Sequence, residues 1–416
     1  MNILLFDFEK IELNEDEKKE SKLTDQEINE KYAQGDARIV TEQGTIKLPQ
    51  VNSIFESGRY IKKPIYQRRI TWDVKKRSKL IESFLMNIPV PPIFIYEVEF
   101  DKYEVMDGLQ RISAIEDFYN NRYALEGLTE WPELNGRNYV NLPQKVREGI
   151  DRRQISVVSL LKESTKTLSQ EQKMKRMVFE RLNTGGVKLE EQEIRNALYD
   201  GVFNDMCKKL SENDLFRKMW GIPNNDELEE SIRSMGEMDG MDSLDVTDEL
   251  AKNGLYMRMY DVELVLRFFA MRHLSEFSGT LSEFLDKCLL WGNNLLLNDE
   301  SNKKVKFERL FDTTIQKVYT LFGDKAFCLY KESRGNYKWS KPQKMIYDAL
   351  MLAVSQFKLE ESFRVDYDSV REYMEKKYAD NCDMFNGKKQ SRKDIEDRTE
   401  FFSHVIADIL EGKIYE

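Results

Sequence analysis

The sequence predicts a mixed αβ amino-terminal half, α/β or α+β with a small sheet, followed by an all-helical carboxy-terminal half. Three observations point there. Between Val74 and Tyr119, stretches with helical and strand-like periodicity follow one another. Within them Pro89, Pro91 and Pro92 forbid a continuous helix. From Ser169 onward the apolar residues recur at helical spacing. A chain of 416 residues is long enough for two or three domains.

Taken in order, Glu9 to Lys31 reads as a charged helical lead-in. The stretch ARIVTEQGTIKLPQV, Ala37 to Val51, alternates around Gly44 and predicts a hairpin. A helical turn opens VNSIFESGRYI, and KKPIYQRRITW is a proline-bounded extended piece. Leu80, Ile81, Phe84 and Leu85 give a helix from Val74 to Met86 its buried face. Ile93 to Tyr96 is continuously apolar, as in a strand buried on both sides. Asp101-Lys102 turns the chain into the strand YEVM, and a helix follows from about Gln110 to Tyr119. Later, SQEQKMKRMVFERLN is helical, breaks at Thr184-Gly185-Gly186 and restarts in KLEEQEIRNALYDGVFNDMCKKL. Beyond a stretch of heavy like charge near Asn225 to Asp248, five amphipathic segments read as one helical domain without internal repeats. These readings divide the chain into a lead-in (1–35), an αβ domain (36–220), an acidic linker or loop (221–250) and a helical domain (251–416).

Composition narrows the function. With 41% hydrophobic and 33% charged residues the chain reads as a soluble protein, and no apolar run approaches the roughly 18 residues that cross a bilayer. The start, MNILLFDFEK, lacks the basic segment and small-residue cleavage site of a secretory leader, so a cytoplasmic location is expected. Cys207, Cys288, Cys328 and Cys382 lie far apart and read as reduced thiols. With only His273 and His404, an HExxH zinc site is excluded, as is a histidine-rich HNH nuclease site, and little room remains for a histidine-based triad. The net charge of −10 argues against indiscriminate nucleic-acid binding by the whole surface. Yet from Arg59 to Lys79 the residues Arg59, Lys62, Lys63, Arg68, Arg69, Lys75, Lys76, Arg77 and Lys79 face a single acid, Asp73.

Three constellations have the residue types for chemistry. In YEVMDGLQRISAIEDF a strand ending at Met106 places Asp107 at its carboxyl end, where open αβ sheets place ligands. Gly108 permits a sharp turn, and the backbone N–H groups that open the next helix have no intrahelical acceptor and suit an anion. Arg111 adds a permanently charged fork suited to phosphate, while Asp107 is placed to orient water, hold a divalent metal or simply cap the helix. YQRRITW interleaves basic and aromatic groups, as stacking plus phosphate contact requires, or as a solvated loop over a packed Trp72 would. FERLNTGGVKLEEQEIRNAL joins two helices through Asn183-Thr184-Gly185-Gly186, which also suits an ordinary glycine cap. No GxxxxGK[ST], GxGxxG or GxSxG motif is present.

Together YQRRITW, LIESFLMNIPVPPIFIYEV, YEVMDGLQRISAIEDFY and FERLNTGGVKLEEQEIRNAL resemble, in order and spacing, the amino-terminal domain of GmrSD-type restriction proteins. The resemblance covers roughly Ile39 to Leu215. It implies an α+β fold, with a ParB/sulfiredoxin-like mixed-sheet domain ahead of the helical one, and an antiphage restriction role. It further implies nucleotide binding and hydrolysis around a DGQQR motif, which falls on Asp107, Gly108, Leu109, Gln110 and Arg111. Leu109 departs from the family's usual glutamine, which bears on nucleotide choice and hydrolysis. By the same resemblance Asp107, Gln110 and Arg111 are the candidate catalytic residues, with Asp107 a candidate ligand for Mg²⁺. Tyr66, Gln67, Arg68, Gly108, Asn183 and Arg195 are the candidates for binding the NTP. Arg59, Lys62, Lys63, Arg69, Lys75, Lys76, Arg77 and Lys79 are the candidates for binding DNA, including modified or phage DNA. Many relatives attach a carboxy-terminal HNH-like nuclease; with His273 and His404 alone, no second nuclease site is expected here.

The leading expectation is therefore an NTP-binding and NTP-hydrolysing defence protein that engages DNA. One alternative is a non-catalytic sensor of DNA or of a phage protein that regulates a separate nuclease subunit. Another is a DNA nickase that uses the same corner. A second copy of the chain is a further candidate partner, and none is expected in a membrane.

Overall fold

The computed structural model describes residues 4–9, 24–34, 40–61, 72–161, 174–179, 181, 190–223, 253–297, 299, 302–333, 335–387 and 391–415. Two compact units are present, one of Asp16–Leu198 and one of Met1–Glu15 with Tyr199–Glu416.

The first unit is built on β1 (Thr41–Lys47), β2 (Tyr60–Ile61), β3 (Ile93–Glu99), β4 (Lys102–Asp107) and β5 (Gln154–Leu160). They form one mixed sheet in the order β1-β5-β3-β4-β2. β1 and β5 are antiparallel, as are β3 and β4, whereas β3 with β5 and β2 with β4 are parallel. Its helices are α1 (Asp25–Gln34), α2 (Val51–Phe55), α3 (Val74–Leu85), α4 (Leu109–Tyr119), α5 (Gln144–Asp151), α6 (residues 174–179) and α7 (Glu191–Leu198). The fold is α+β.

Both faces of the sheet are covered. Ile93 and Ile95 of β3, Val105 of β4 and Ile155 and Val157 of β5 join Leu80, Ile81, Phe84, Ile112, Ile115 and Phe118 in one core. On the opposite face Tyr96, Met106 and Leu160 pack with Met174, Val178, Phe179 and Ile194. Covering both sides of β3 is why IFIY reads as an unbroken apolar run. The helix expected from Val74 is α3, and Asp73 begins it by accepting a hydrogen bond from the Lys76 amide at 2.7 Å.

The hairpin expected at Gly44 does not form. β1 runs straight through Gly44, which lies opposite Val157, and its partner is β5, more than a hundred residues later. The strand β5 itself, QISVVSL, is an element that the sequence reading does not include.

In the second unit, α8 (Val202–Leu210), α9 (Asp214–Trp220), α10 (Tyr260–Met271), α11 (Leu281–Leu296), α12 (Lys303–Phe322), α13 (Lys344–Ser355), α14 (Tyr367–Asp380) and α15 (Arg392–Leu410) supply most of the structure. Capping boxes open α11 (Thr280 with Glu283) and α15 (Ser391 with Asp394). The core is rich in aromatic residues: Phe203, Phe268, Phe269, Phe307 and Phe311 are all buried. The helix expected to run from Lys188 to Leu210 is divided at 199–201. There the Asn293 side chain accepts from the amides of Phe203 and Asn204, at 3.0 and 3.2 Å, and donates to the Tyr199 carbonyl at 2.9 Å.

Two further corrections concern this unit. It is largely, not wholly, helical: β6 (Tyr330–Ser333) and β7 (Asn336–Trp339) form an antiparallel hairpin, each strand too short to show an alternation. Glu9, read as the start of a charged helical lead-in, is buried here, accepting from Arg272 Nε and Nη2 at 2.6 and 2.7 Å. Residues 10–23 of that lead-in and all of 225–248 lie outside the described residues. No helix among the described residues is long and apolar enough to cross a membrane.

Candidate functional site: the corner between β4 and α4

β4 ends at Asp107 and α4 begins at Leu109, so a single residue makes the turn. Gly108 has φ 102° and ψ 6°, a left-handed conformation that suits glycine. A Cβ there would lie 3.0 Å from Ile93 Cγ1, 3.1 Å from Arg111 Nη2 and 3.2 Å from Ile93 Cα. Gly108→Ala is therefore expected to destabilise the protein by about 1–3 kcal/mol through strain at a positive φ and crowding of β3. A denaturant midpoint unchanged from wild type would contradict this reading of the turn.

The four side chains around Gly108 take different directions. Leu109 is buried in the same core as Ile93 and Ile112. The Gln110 Oε1 accepts from the Trp72 amide at 2.9 Å, fixing the residue just before the cap of α3. Asp107 does not cap α4, whose N-cap is Gly108 with no side-chain bond. Instead its carboxylate accepts from Arg111 Nη2 at 2.7 Å, one helical turn on. Arg111 Nη2 also donates to the Pro92 carbonyl at 3.1 Å, and Arg111 Nε is buried without a partner among the described residues. The Asp107 side chain is 41% exposed, that of Arg111 only 12%. The carboxylate thus stands at the surface, with the guanidinium held behind it.

This arrangement explains what the departure at Leu109 does. The position faces hydrocarbon, so an amide there would be buried without an evident partner. Leu109→Gln is expected to cost about 1–3 kcal/mol, read as a lower thermal midpoint. An unchanged midpoint would mean that the side chain turns out toward the corner instead.

Residues 51–199 match the family model of the N-terminal domain of the GmrSD restriction endonuclease. This part of the chain is a GmrSD N-terminal domain. No curated protein and no solved structure matches the chain. The matched span begins at α2 and takes in β2 to β5, the corner and α7.

Within this GmrSD domain the other candidate residues are unevenly placed. Tyr66, Gln67 and Arg68, with Lys62, Lys63 and Arg69, lie outside the described residues, as does Asn183. Arg195 lies on α7 and is buried, its Nη1 donating to Gln192 Oε1 at 3.3 Å. Its neighbour Ile194 shares an apolar cluster with Met106, the residue before Asp107.

Of the basic stretch, Lys75, Lys76 and Lys79 are exposed on α3. Lys75 lies 3.5 Å from Glu126, and Arg59 pairs at 3.0 Å with Asp101 in the β3–β4 turn. Arg77 is a structural tie: its Nε donates to the Trp72 carbonyl at 2.7 Å and its Nη1 to Asp117 at 2.9 Å. The Trp72 backbone is therefore held at both ends, by Gln110 and by Arg77. Sequence reasoning missed one polar feature behind the sheet, where Lys175 Nζ lies 4.3 Å from the centre of the Tyr96 ring and 3.7 Å from Glu104. A lysine on a helix gives no sequence signal for such a placement.

Proposed function

We propose that this protein serves a restriction or antiphage defence system, binding an NTP at the Asp107–Arg111 corner, hydrolysing it and engaging DNA. One observation carries the reading: a glycine-turned helix start brings an arginine and a half-exposed carboxylate together at the end of β4. The presence of a GmrSD N-terminal domain supports the defence role.

In this reading the first-turn amides of α4 and the Arg111 guanidinium bind phosphate oxygens, for which a helix N-terminus and a planar fork are both suited. Arg111 already points toward the corner and needs no desolvation beyond what folding has imposed. Asp107 orients the attacking water. Phosphoryl transfer asks mainly for positioning and charge neutralisation, which these groups supply. Mg²⁺ accompanying the NTP would contribute charge neutralisation; one exposed carboxylate beside a triphosphate fits its preference for few protein ligands. Gln110 acts by position, because its carbonyl oxygen holds Trp72 in place. Lys75, Lys76 and Lys79 offer DNA an exposed cationic helix face, and binding through it weakens steeply with added salt.

A second reading, a sensor without turnover that acts on a separate nuclease, draws on Leu109 being interior and on Asp107 being paired with Arg111. Incubating the full chain with each NTP, with and without duplex DNA, and following phosphate release together with DNA cleavage separates the readings. Phosphate release is the expected result. Binding of NTP or DNA without release favours the sensor. Metal-dependent nicking that disappears in Asp107→Ala would make the corner a nickase.

A further inference from the structure

The stretch Lys325 to Lys344 of the second unit carries Lys325, Lys331, Arg334, Lys338, Lys341 and Lys344 against one acid, Glu332, in a chain of net charge −10. Two of these charges, Lys331 and Lys338, lie on the strands of the β6–β7 hairpin. The strands pair Tyr330 with Trp339, Lys331 with Lys338, Glu332 with Tyr337 and Ser333 with Asn336. Directly opposed residues project to the same side of an antiparallel pair, and successive residues to opposite sides. One side therefore carries Tyr330, Glu332, Tyr337 and Trp339, the other Lys331 and Lys338.

The aromatic side is anchored on the protein through Trp339, while Tyr337 and Glu332 at its far end are exposed. Tyr330 packs with Tyr337 and Trp339 at centroid distances of 5.7 and 5.5 Å. Trp339 donates its indole N–H to Glu375 at 3.0 Å and lies against Tyr378 of α14. The lysine side faces away. Lys331 and Lys338 are both exposed, and among the described residues neither has a carboxylate within 4.0 Å. Like charges placed directly across a strand pair oppose its formation. These two lysines thus weaken the hairpin locally, and a polyanion would remove that repulsion.

We infer that the lysine side of the β6–β7 hairpin is a contact for the phosphates of duplex DNA, separate from the α3 face. The inference rests on the DNA engagement proposed above. A two-stranded ribbon fits the major groove of B-form DNA, whereas that of an RNA duplex is too narrow. The lysine side has no ring on which unpaired bases would stack, which disfavours a single strand.

The test compares the full chain with the double variants Lys331→Ala/Lys338→Ala and Lys75→Ala/Lys76→Ala, measuring affinity for one duplex DNA across a salt series. Each lost phosphate contact makes the slope of log K against log salt shallower by about 0.9. The hairpin variant is expected to lose about 1.8 from the slope, so that its loss of affinity between 50 and 200 mM salt is about 12-fold smaller. Its thermal midpoint is expected to hold or rise, because a repulsion has been removed. An unchanged slope overturns the inference and leaves the lysines as guards against edge-to-edge strand pairing. If only the α3 variant changes, the hairpin inference fails and the α3 contact stands; if only the hairpin variant changes, the reverse holds. Tighter binding of an RNA duplex, lost in the hairpin variant, overturns DNA as the ligand, and no binding by wild type overturns both contacts.

Discussion

Replacing Arg111 with alanine is expected to lower NTP affinity or turnover by about 100-fold or more, the scale on which removal of a preorganised charged donor acts in phosphoryl transfer. The reason is geometric. Arg111 is the cation next to Gly108, its guanidinium is mostly buried, and its position is fixed by Asp107 and the Pro92 carbonyl. Arg111→Lys keeps the charge and loses the planar fork, so most of the effect is expected to remain. The fold should tolerate Arg111→Ala, since Asp107 is left half-exposed and hydrated. Asp107→Ala is the harsher change for stability, because it leaves the guanidinium with only the Pro92 carbonyl among the partners seen here; about 1–3 kcal/mol is expected. Thermal midpoints measured beside phosphate release separate the two kinds of loss. If Arg111→Ala, folded as judged by its midpoint, binds and turns over NTP as wild type does, the corner is not where the phosphates are held.

The largest effect on stability is expected at Glu82. This residue is buried on α3, and its Oε1 accepts from the amides of Thr129, Glu130 and Trp131 at 3.0, 2.8 and 3.1 Å. One charged oxygen thus satisfies three consecutive donors of the loop between α4 and α5, just ahead of the short 3-10 helix Pro132–Leu134. Hydrogen bonds to an ionised acceptor are about twice as strong as neutral ones. Nearby, Ser78 Oγ of the same helix accepts from the Glu126 amide at 2.9 Å, so the loop hangs on α3 by side chains alone. Glu82→Ala orphans all three amides, and about 3 kcal/mol of stability should go with them. Glu82→Gln keeps a carbonyl oxygen in the same place and is expected to cost about 1 kcal/mol. Chemical denaturation of both variants measures the difference. Equal losses in the two would mean that volume, and not the acceptor, holds the loop.

How far the sequence disclosed all this depended on the range of the interaction involved. α3 and β3 were legible because their signals are local: the apolar face of Leu80, Ile81 and Phe84, and the double-sided burial of Ile93 to Tyr96. The sheet's edge was not. Gly44 carries a local turn signal, yet the partner that keeps β1 extended is β5, far along the chain, and no local pattern reports such a pairing. The corner was visible as Asp107-Gly108, because a strand, a glycine and a helix start in succession leave few other conformations. The directions of its side chains were not visible. Leu109 turns inward, Gln110 reaches Trp72 and Arg77 reaches Asp117 because of how α3 and α4 pack together. The same packing makes Arg77, one of the basic residues between Arg59 and Lys79, a tie between α3 and α4.

Titration calorimetry of the full chain with each Mg²⁺–NTP, repeated on Arg111→Ala, bears most directly on the triphosphate corner. A saturable heat with at least one NTP, lost in the variant while its thermal midpoint is retained, is the predicted result. No heat with any NTP from folded wild-type protein would contradict it.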